Sequence, residues 1–342
     1  MRPRVGRRNA FRSAAILLAG LSPLLAACGG LAAGSAGGSS VADTAWVATD
    51  ASVTRPGVSL TPVDLTTRRG EAKIRVGSLP SAMAFTRHDT LLLAVSQGDD
   101  TLHAIDPATR KVTHSVAVGV EPDAVAVAPG GTGGRGIALV ANLDSNSVTP
   151  VDLGTWRAGK AIPVGIEPVA IAVAVVPGGA ATALVVDFGS NEVTPIALPS
   201  LRAGTPIAVG AGPQTIAIAP HEALVGDFGD HSLTPVSLPR LQTAAAVPLP
   251  VSPTDLVVTS AGTRAYVTGG DSVVPLTLAG LVVGAPIVLP DVAQGIALGA
   301  HDTMAWVALQ GGSLVPVTLS SGVVGHPIRL GGHPSAVAIA DS

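Results

Sequence analysis

Cysteine is almost absent: Cys28 is the single one among 342 residues. No disulfide can form within the chain, so its fold must rest on a buried core, which roughly 300 residues can supply amply. Aromatic residues make up 2%, which leaves few stacking platforms for sugars or bases. Outside the N-terminus no stretch reaches the roughly 18 uninterrupted apolar residues of a membrane-crossing helix. There is no zinc-binding His-Glu-x-x-His, no nucleophile elbow and no Cys/His pair, so the usual signatures of metallohydrolases and of serine or cysteine nucleophiles are missing. Histidine is scattered over His88, His103, His114, His221, His231, His301, His326 and His333. A metal needs ligands that converge on one point, so turn or surface histidines are the plain reading.

What the chain does have is Ala, Val, Ile and Leu, with 41 Gly and 28 Pro. Val and Ile favour strands, while Gly and Pro punctuate turns. These residues are arranged in a phrase that recurs seven times, anchored at Val63, Ile105, Val151, Ile196, Val236, Leu276 and Val317. The steps are 42, 46, 45, 40, 40 and 41 residues. A repeat of this length built from alternating apolar residues predicts a β-propeller, each repeat forming one blade.

Each repeat carries four strand signals, named A to D from the axis outward. Their connections are short, so neighbours are antiparallel hairpins. The final copy, around Ala336 and Ile339, is a lone A strand, whereas the first, Ala45-Trp46-Val47-Ala48, matches the B strand Ala305-Trp306-Val307-Ala308. The expected fold is therefore all-β: seven four-stranded blades, closed by pairing the C-terminal innermost strand with N-terminal strands from residues 44–77. Such closure leaves no open edge between first and last blades. Pro163, Pro206, Pro248, Pro286 and Pro327 are expected in outer D strands, where a missing N–H costs little. Pro62, Pro150, Pro195, Pro235, Pro275 and Pro316 fall in C strands, inside the sheet. Their ring nitrogens are expected to face D, at a bulge or beyond the end of that strand.

Residues 1–27 belong to targeting. Arg2, Arg4, Arg7, Arg8 and Arg12 form a basic segment, and residues 13–27 an apolar one too short to span a bilayer. The segment ends in Leu25-Ala26-Ala27-Cys28, which resembles the lipobox of bacterial lipoproteins. That resemblance implies cleavage before Cys28, a diacylglycerol thioether on its sulfur, N-acylation in many species, and an extracytoplasmic, membrane-anchored address. The alternative is a plain signal peptide with an incidental cysteine. Arg7-Arg8 leaves open whether export is general or twin-arginine. The Gly/Ser-rich residues 28–42 read as the lipidated cysteine and its flexible tether, and residues 43–342 as the propeller. Without residues 1–27 the chain carries 20 − 5 = 15 basic and 23 acidic residues, a charge of 15 − 23 = −8. Such a surface repels phosphate backbones, so nucleic acid is not expected as a partner. A monomer is expected.

The pattern Ile-x-Val-Gly-x-x-Pro-x-x-Ile-Ala-Ile, followed by an Ala-x-Val strand and an Asn/Asp-x-x-Ser-Asn turn, resembles the YVTN β-propeller repeat. The best copies are residues 116–127 with 138–146 and 162–173 with 183–191; Tyr266 is the one tyrosine that survives of the family name. The resemblance covers nearly all of residues 43–342. It implies the fold more firmly than an activity, since that family spans surface-layer domains, periplasmic proteins and relatives of lactone hydrolases.

Three segments imitate nucleotide or metal motifs. Residues 131–136 match a dinucleotide fingerprint but lie in an A–B hairpin leading into a strand, where a helix is needed. Residues 154–160 nearly match a P-loop, yet Ala161 stands where magnesium would need a hydroxyl. Asp187-Phe188-Gly189 and Asp227-Phe228-Gly229 recur at equivalent B–C turns, as turn chemistry would. Asp144, Asp227 and Asp230 are calcium candidates without the dense acid spacing of a calcium loop.

One constellation remains. The D–A and B–C loops share a face, and the D–A loops carry Glu121, Asp123, Glu167, Gln214, Asp255, Asp291, Gln294 and His333. A ring of inward carboxylates would bind a divalent cation or cationic ligand at the channel mouth; the simpler alternative is solvated loop charge. No other cofactor is expected. The leading function is a non-catalytic extracytoplasmic scaffold with an unidentified protein or small-molecule partner. The alternative is a lactonase-like hydrolase whose metal is held by these carboxylates. Hydrolysis would require at least three of Glu121, Glu167, Asp255 and Asp291 to converge.

Overall fold

The computed structural model describes residues 43–50, 59–175 and 181–340. The targeting segment, Cys28 and the tether lie outside the described residues. Seven antiparallel sheets are present, and each is one blade. The innermost strands are His333–Ile339, Pro80–Phe85, Pro122–Ala128, Pro168–Ala174, Pro213–Ile218, Asp255–Val258 and Ala293–Leu298. In blade order 1 to 7 these are the A strands, and each packs beside the A strand of the next blade around the axis.

Ring closure is as the chain ends predict. In blade 1 the C-terminal strand His333–Ile339 pairs antiparallel with Thr44–Asp50, placing Val337 opposite Val47. Thr44–Asp50 then pairs with Ser59–Asp64. One sheet thus takes strands from both ends of the chain, and the ring cannot open without breaking a blade.

The inner strands are buried on both faces, because each sheet is sandwiched between its neighbours. Ala138, Leu139, Val140 and Ala141 of the blade 3 B strand are all 0% exposed, so the sequence there runs apolar rather than alternating. Small residues dominate where inner strands crowd the axis, as in Ala124, Ala126 and Ala128. This geometry accounts for the scarcity of aromatic residues: narrow inter-blade layers are filled by Ala, Val and Leu. Trp46, Trp306 and Tyr266 are buried in B strands, where each pairs with the proline of its C strand, Pro62, Pro316 and Pro275.

The C-strand prolines sit as expected. Each keeps a regular ladder with B, as Leu224 opposite Pro235. On the other side D is interrupted. In blade 3, D consists of Arg157–Ala158, paired with Val151 and Asp152, and Ile162–Pro163, paired with Ser147 and Val148. Nothing in D pairs with Thr149 and Pro150 in the ladder; instead the Pro150 carbonyl accepts from Gly159 N at 2.7 Å. A strand residue turns its nitrogen and its carbonyl to the same side, so the ring nitrogen faces D, where no acceptor needs it. The same bond joins Glu71 to Pro62, Gly204 to Pro195, Ala244 to Pro235, Gly284 to Pro275 and Gly325 to Pro316. Of the outer prolines, Pro163 and Pro248 lie within D strands. Pro206, Pro286 and Pro327 instead fall one residue before the strands that begin at Ile207, Ile287 and Ile328.

Candidate functional site

The D–A and B–C loops do share a face, and within each blade they hydrogen-bond to one another. Leu143 N donates to Glu121 O at 2.8 Å, Phe188 N to Glu167 O at 2.9 Å and Phe228 N to Gly212 O at 2.9 Å. The amide nitrogens of the same three residues tie one blade to the preceding one. Glu121 N donates to Asp100 Oδ1 (2.8 Å), Glu167 N to Asn146 Oδ1 (2.8 Å) and Gly212 N to Asn191 Oδ1 (2.7 Å). All three loop residues are left-handed, at φ 52°, 55° and 58°. A further donor from each loop reaches the same blade's turn: Val120 N to Ser145 Oγ, Ile166 N to Ser190 Oγ and Ala211 N to Asp230 Oδ2.

The central residue enters this latch through its backbone alone, so its own side chain is free to vary. Leu79 occupies the equivalent left-handed position in blade 2, accepting from Gln97 N, and Gly212 does so in blade 5. Glu121 and Glu167 therefore hold their places through peptide groups; their half-buried side chains have no common counterpart around the ring.

The remaining nominated residues are engaged differently. Asp123 is not in a loop but in the A strand, 5% exposed, where Gln97 Nε2 of the neighbouring blade donates to it. Asp255 opens its A strand at 1% exposure. Its Oδ2 accepts from Ile296 N (2.9 Å) of blade 7, and its Oδ1 from Leu256 N (2.8 Å) and Thr215 Oγ1 (3.5 Å) of blade 5, so one carboxylate spans three blades. Asp291 caps Val292 N (2.7 Å) and Gly311 N (2.6 Å). His333 is exposed and its Nδ1 donates to Gln310 O at 3.0 Å. Gln214 is buried and Gln294 half-buried. Among the described residues no three His, Cys, Asp or Glu side chains converge as metal ligands would. Of the calcium candidates, Asp144 is exposed and Asp230 is bound to Ala211 N.

Two carboxyls outside the D–A loop set, Asp187 and the calcium candidate Asp227, have the most perturbed surroundings. Asp187 and Asp227 end the B strands of blades 4 and 5, both 0% exposed. Burial pushes the Asp187 carboxyl up to about 7 and that of Asp227 up to about 6. In each, Oδ2 accepts from a C-strand threonine at 2.6 Å, Thr194 or Thr234, and each Oδ1 is buried without a partner. Gly165 N and Gly210 N also donate to these carboxyls. A Cβ on Gly210 would lie 2.5 Å from Asp227 Cγ, which explains the glycine after the valine in the repeat. In blade 3 the same place is held by Asn142, whose Oδ1 accepts from Gly119 N and whose Nδ2 donates to Ser147 O and Thr149 Oγ1. A sequence signal existed: threonine stands before the C-strand proline in the blades with Asn or Asp at this place (Thr149, Thr194, Thr234), and valine in the two with Gly269 or Leu309 there (Val274, Val315); blade 1, with Thr49 there, also has threonine, Thr61. Asp187-Phe188-Gly189 is thus a sheet-to-loop buttress.

The imitations of nucleotide motifs resolve as hairpins. Residues 131–136 connect Pro122–Ala128 to Ile137–Asn142, and residues 154–160 lie at the C–D connection.

Comparison with known proteins gives the fold. The sequence matches no family model and no curated protein. Solved structures match strongly in shape. A functionally unknown protein from Desulfotomaculum acetoxidans superposes with a TM-score of 0.76 at 16% identity, over 87% of this chain and 99% of that one. A putative 6-phosphogluconolactonase from Bacteroides uniformis gives 0.68 at 15%, over 87% and 100%. Kuenenia stuttgartiensis hydrazine synthase gives 0.66 at 20%, over 75% and 88%. At these identities the likeness is one of fold: a seven-bladed β-propeller.

Proposed function

We propose that the chain is an exported, lipid-anchored propeller of the YVTN-repeat kind that serves as a non-catalytic binding scaffold. The observation that carries this reading is how the loop face spends its polar groups. Asp100, Asn146, Asn191, Asp230, Asp255 and Asp291 all accept backbone N–H groups, most of them from adjoining loops or blades. Charge used this way makes a stiff face for display, at little entropic cost to a partner that docks on it. The Leu25-Ala26-Ala27-Cys28 sequence supports the anchor: two or more acyl chains on Cys28 suffice for stable membrane attachment. Partners would be other envelope proteins or small molecules near the bilayer.

A second reading, a lactonase-like hydrolase, draws on the putative 6-phosphogluconolactonases of Bacteroides uniformis and Bacteroides fragilis among the structural neighbours. Any cation would have to be held by Glu121 and Glu167, the nominated acids without an assigned internal role.

Cross-linking and co-purification of the intact lipoprotein from envelopes, beside an assay with 6-phosphogluconolactone, separates the two. A reproducible stoichiometric partner and no turnover is the expected result. Catalytic turnover abolished by Glu121→Gln with Glu167→Gln would end the scaffold reading. Cys28→Ser is expected to leave the membrane fraction, and its continued partition there would end the anchor.

A further inference from the structure

The outer rim is blocked in every blade but one. In six blades a C-strand proline splits D, and no D piece exceeds two residues. Blade 2 has Ala104 where the others have proline, and its D strand, Lys111–Ala117, is continuous over seven residues with one bulge, at Thr113 between the partners of Ala104 and Ile105. It carries no proline of its own, whereas blades 3 and 5 place Pro163 and Pro248 in register with Ala117: Pro163 opposite Ser147, Pro248 opposite Ser232, Ala117 opposite Thr101. Val118 N donates to Asp100 O, so strand alternation turns the N–H and C=O of Ala117 and Ser115 away from the sheet. Lys111–Ala117 is exposed along almost its whole length. An open edge of this kind is a template for another strand.

The surroundings of that edge set its chemistry. Between the D strands of blades 1 and 2 lies a groove of about 510 Å³, lined by Lys73, Ile74, Arg75, Arg110, Lys111 and Val112. Four of the 15 basic residues beyond position 27 therefore line one groove, although residues 28–342 together carry a charge of 15 − 23 = −8. Glu71 pairs with Arg110, leaving Lys73, Arg75 and Lys111 as cations with no ion-pair partner among the described residues. On the other side of the blade, His114 stacks on Trp156 of blade 3, centroids 4.2 Å apart.

We propose that this rim captures an extended acidic segment of a partner protein, added as a strand to Lys111–Ala117. Backbone hydrogen bonds to the open edge hold the segment, and alternate acidic side chains fall into the Lys73–Arg75–Lys111 groove. This rests on the scaffold reading and names its partner class.

The test is fluorescence anisotropy on the full-length chain in detergent, with a fluorescein-labelled nonapeptide of alternating Glu and Val. Saturable binding is expected, and Lys73→Glu with Arg75→Glu should weaken it at least about tenfold. Ala117→Pro removes one outward N–H that the blade does not use, as Pro163 and Pro248 already do. It should weaken binding about fivefold to tenfold, the worth of one strand hydrogen bond plus the lost fit, with no change in Tm. Ala104→Pro, which gives blade 2 the broken D strand of the others, should abolish binding. A Glu-Pro nonapeptide of equal charge should not bind.

Equal binding of the Glu-Pro peptide, or by both proline variants, would reduce the site to charge alone and overturn strand addition. Failure of the peptide to bind while phosphatidylglycerol vesicles bind through Lys73 and Arg75 would reassign the groove to the membrane. Either result leaves the scaffold reading standing if partners still co-purify. Lactone turnover would end that reading whatever the peptide does.

Discussion

Asp187→Asn should make the protein more stable at neutral and alkaline pH. The wild-type carboxyl is fully buried, and burial raises it from 3.8 to about 7. In the unfolded chain it ionises near its ordinary value. Below about pH 4 both states hold the proton and the group favours neither. Between about pH 4 and pH 7 the unfolded chain releases its proton while the folded one keeps it, so stability falls as pH rises. Above about pH 7 both are ionised and the loss is complete. The gap between 3.8 and about 7 corresponds to about 4 kcal/mol, at about 1.4 kcal/mol for each pH unit.

Asparagine removes that loss without removing the shape. Asn142 shows how an amide is held at the same place in blade 3: its Nδ2 donates to a carbonyl and to Thr149 Oγ1, and its Oδ1 accepts from Gly119 N. In blade 4 the counterparts of Ser147, Thr149 and Gly119 are Glu192, Thr194 and Gly165. The assay is urea unfolding of wild type and variant at pH 4.5 and pH 8, compared at equal m-value. The variant should match wild type within about 1 kcal/mol at the lower pH and exceed it by several at the higher. A stability difference of the same size at both pH values would refute the reasoning, because it would place the effect in packing and not in the proton.

Gly210→Ala should cost about 1–3 kcal/mol, since the new Cβ falls 2.5 Å from Asp227 Cγ in a filled layer; an unchanged urea midpoint would show that this loop yields freely. Removing the final strand His333–Ile339 should abolish cooperative unfolding, because Thr44–Asp50 loses its inner partner; limited proteolysis that still gives one resistant core would contradict closure. Asn191→Ala removes the acceptor for Gly212 N at 2.7 Å and should cost about 1 kcal/mol, read as faster hydrogen exchange at the blade 4–5 loops. Asp255→Ala should cost about 3 kcal/mol or more, by orphaning Ile296 N and Leu256 N, with the metal content of the purified protein unchanged; loss of a stoichiometric metal would make Asp255 a ligand.

The repeat made the ring legible because strand order, closure and blade number depend on residues that recur. The prolines went further. Pro235 and its five counterparts are tolerable inside a sheet only if their nitrogens face a gap, and the gap is the split in D. The fate of the loop acids was not legible by the same means. A carboxylate at Asp255 and one at Glu121 look alike in sequence, since both follow a valine- or proline-rich D strand near a turn. They differ in where the lone pairs point. Asp255 closes on Ile296 N across a blade boundary, whereas Glu121 uses only its peptide group in the latch. That distinction depends on the neighbouring blade's backbone, about 41 residues away in the chain (Asp255 to Ile296), and no local pattern encodes it.

Departures from the repeat carry more information than its consensus. Blade 2 departs three times at once: Ala104 replaces the C-strand proline, Ala117 stands where two blades have Pro163 and Pro248, and His103 replaces the C-strand threonine. The His103 change is absorbed internally, since His103 Nε2 accepts from Gly77 N at 3.1 Å and its Nδ1 meets Ser115 Oγ at 2.9 Å. That bond ties the middle of D to C in the one blade whose D strand is continuous. Neutral imidazole is needed to accept from Gly77 N, and burial lowers the His103 pKa accordingly. A histidine whose folded pKa is depressed loses stability as pH falls through the unfolded value, near 6.5, toward the folded one. Acid should therefore loosen this blade first: hydrogen exchange at Val116 and Gly77 should rise between pH 7 and pH 5, and His103→Thr should remove the rise. Equal rises at the equivalent positions of blade 3, Ile162 and Gly119, would show instead that acid acts on the ring as a whole.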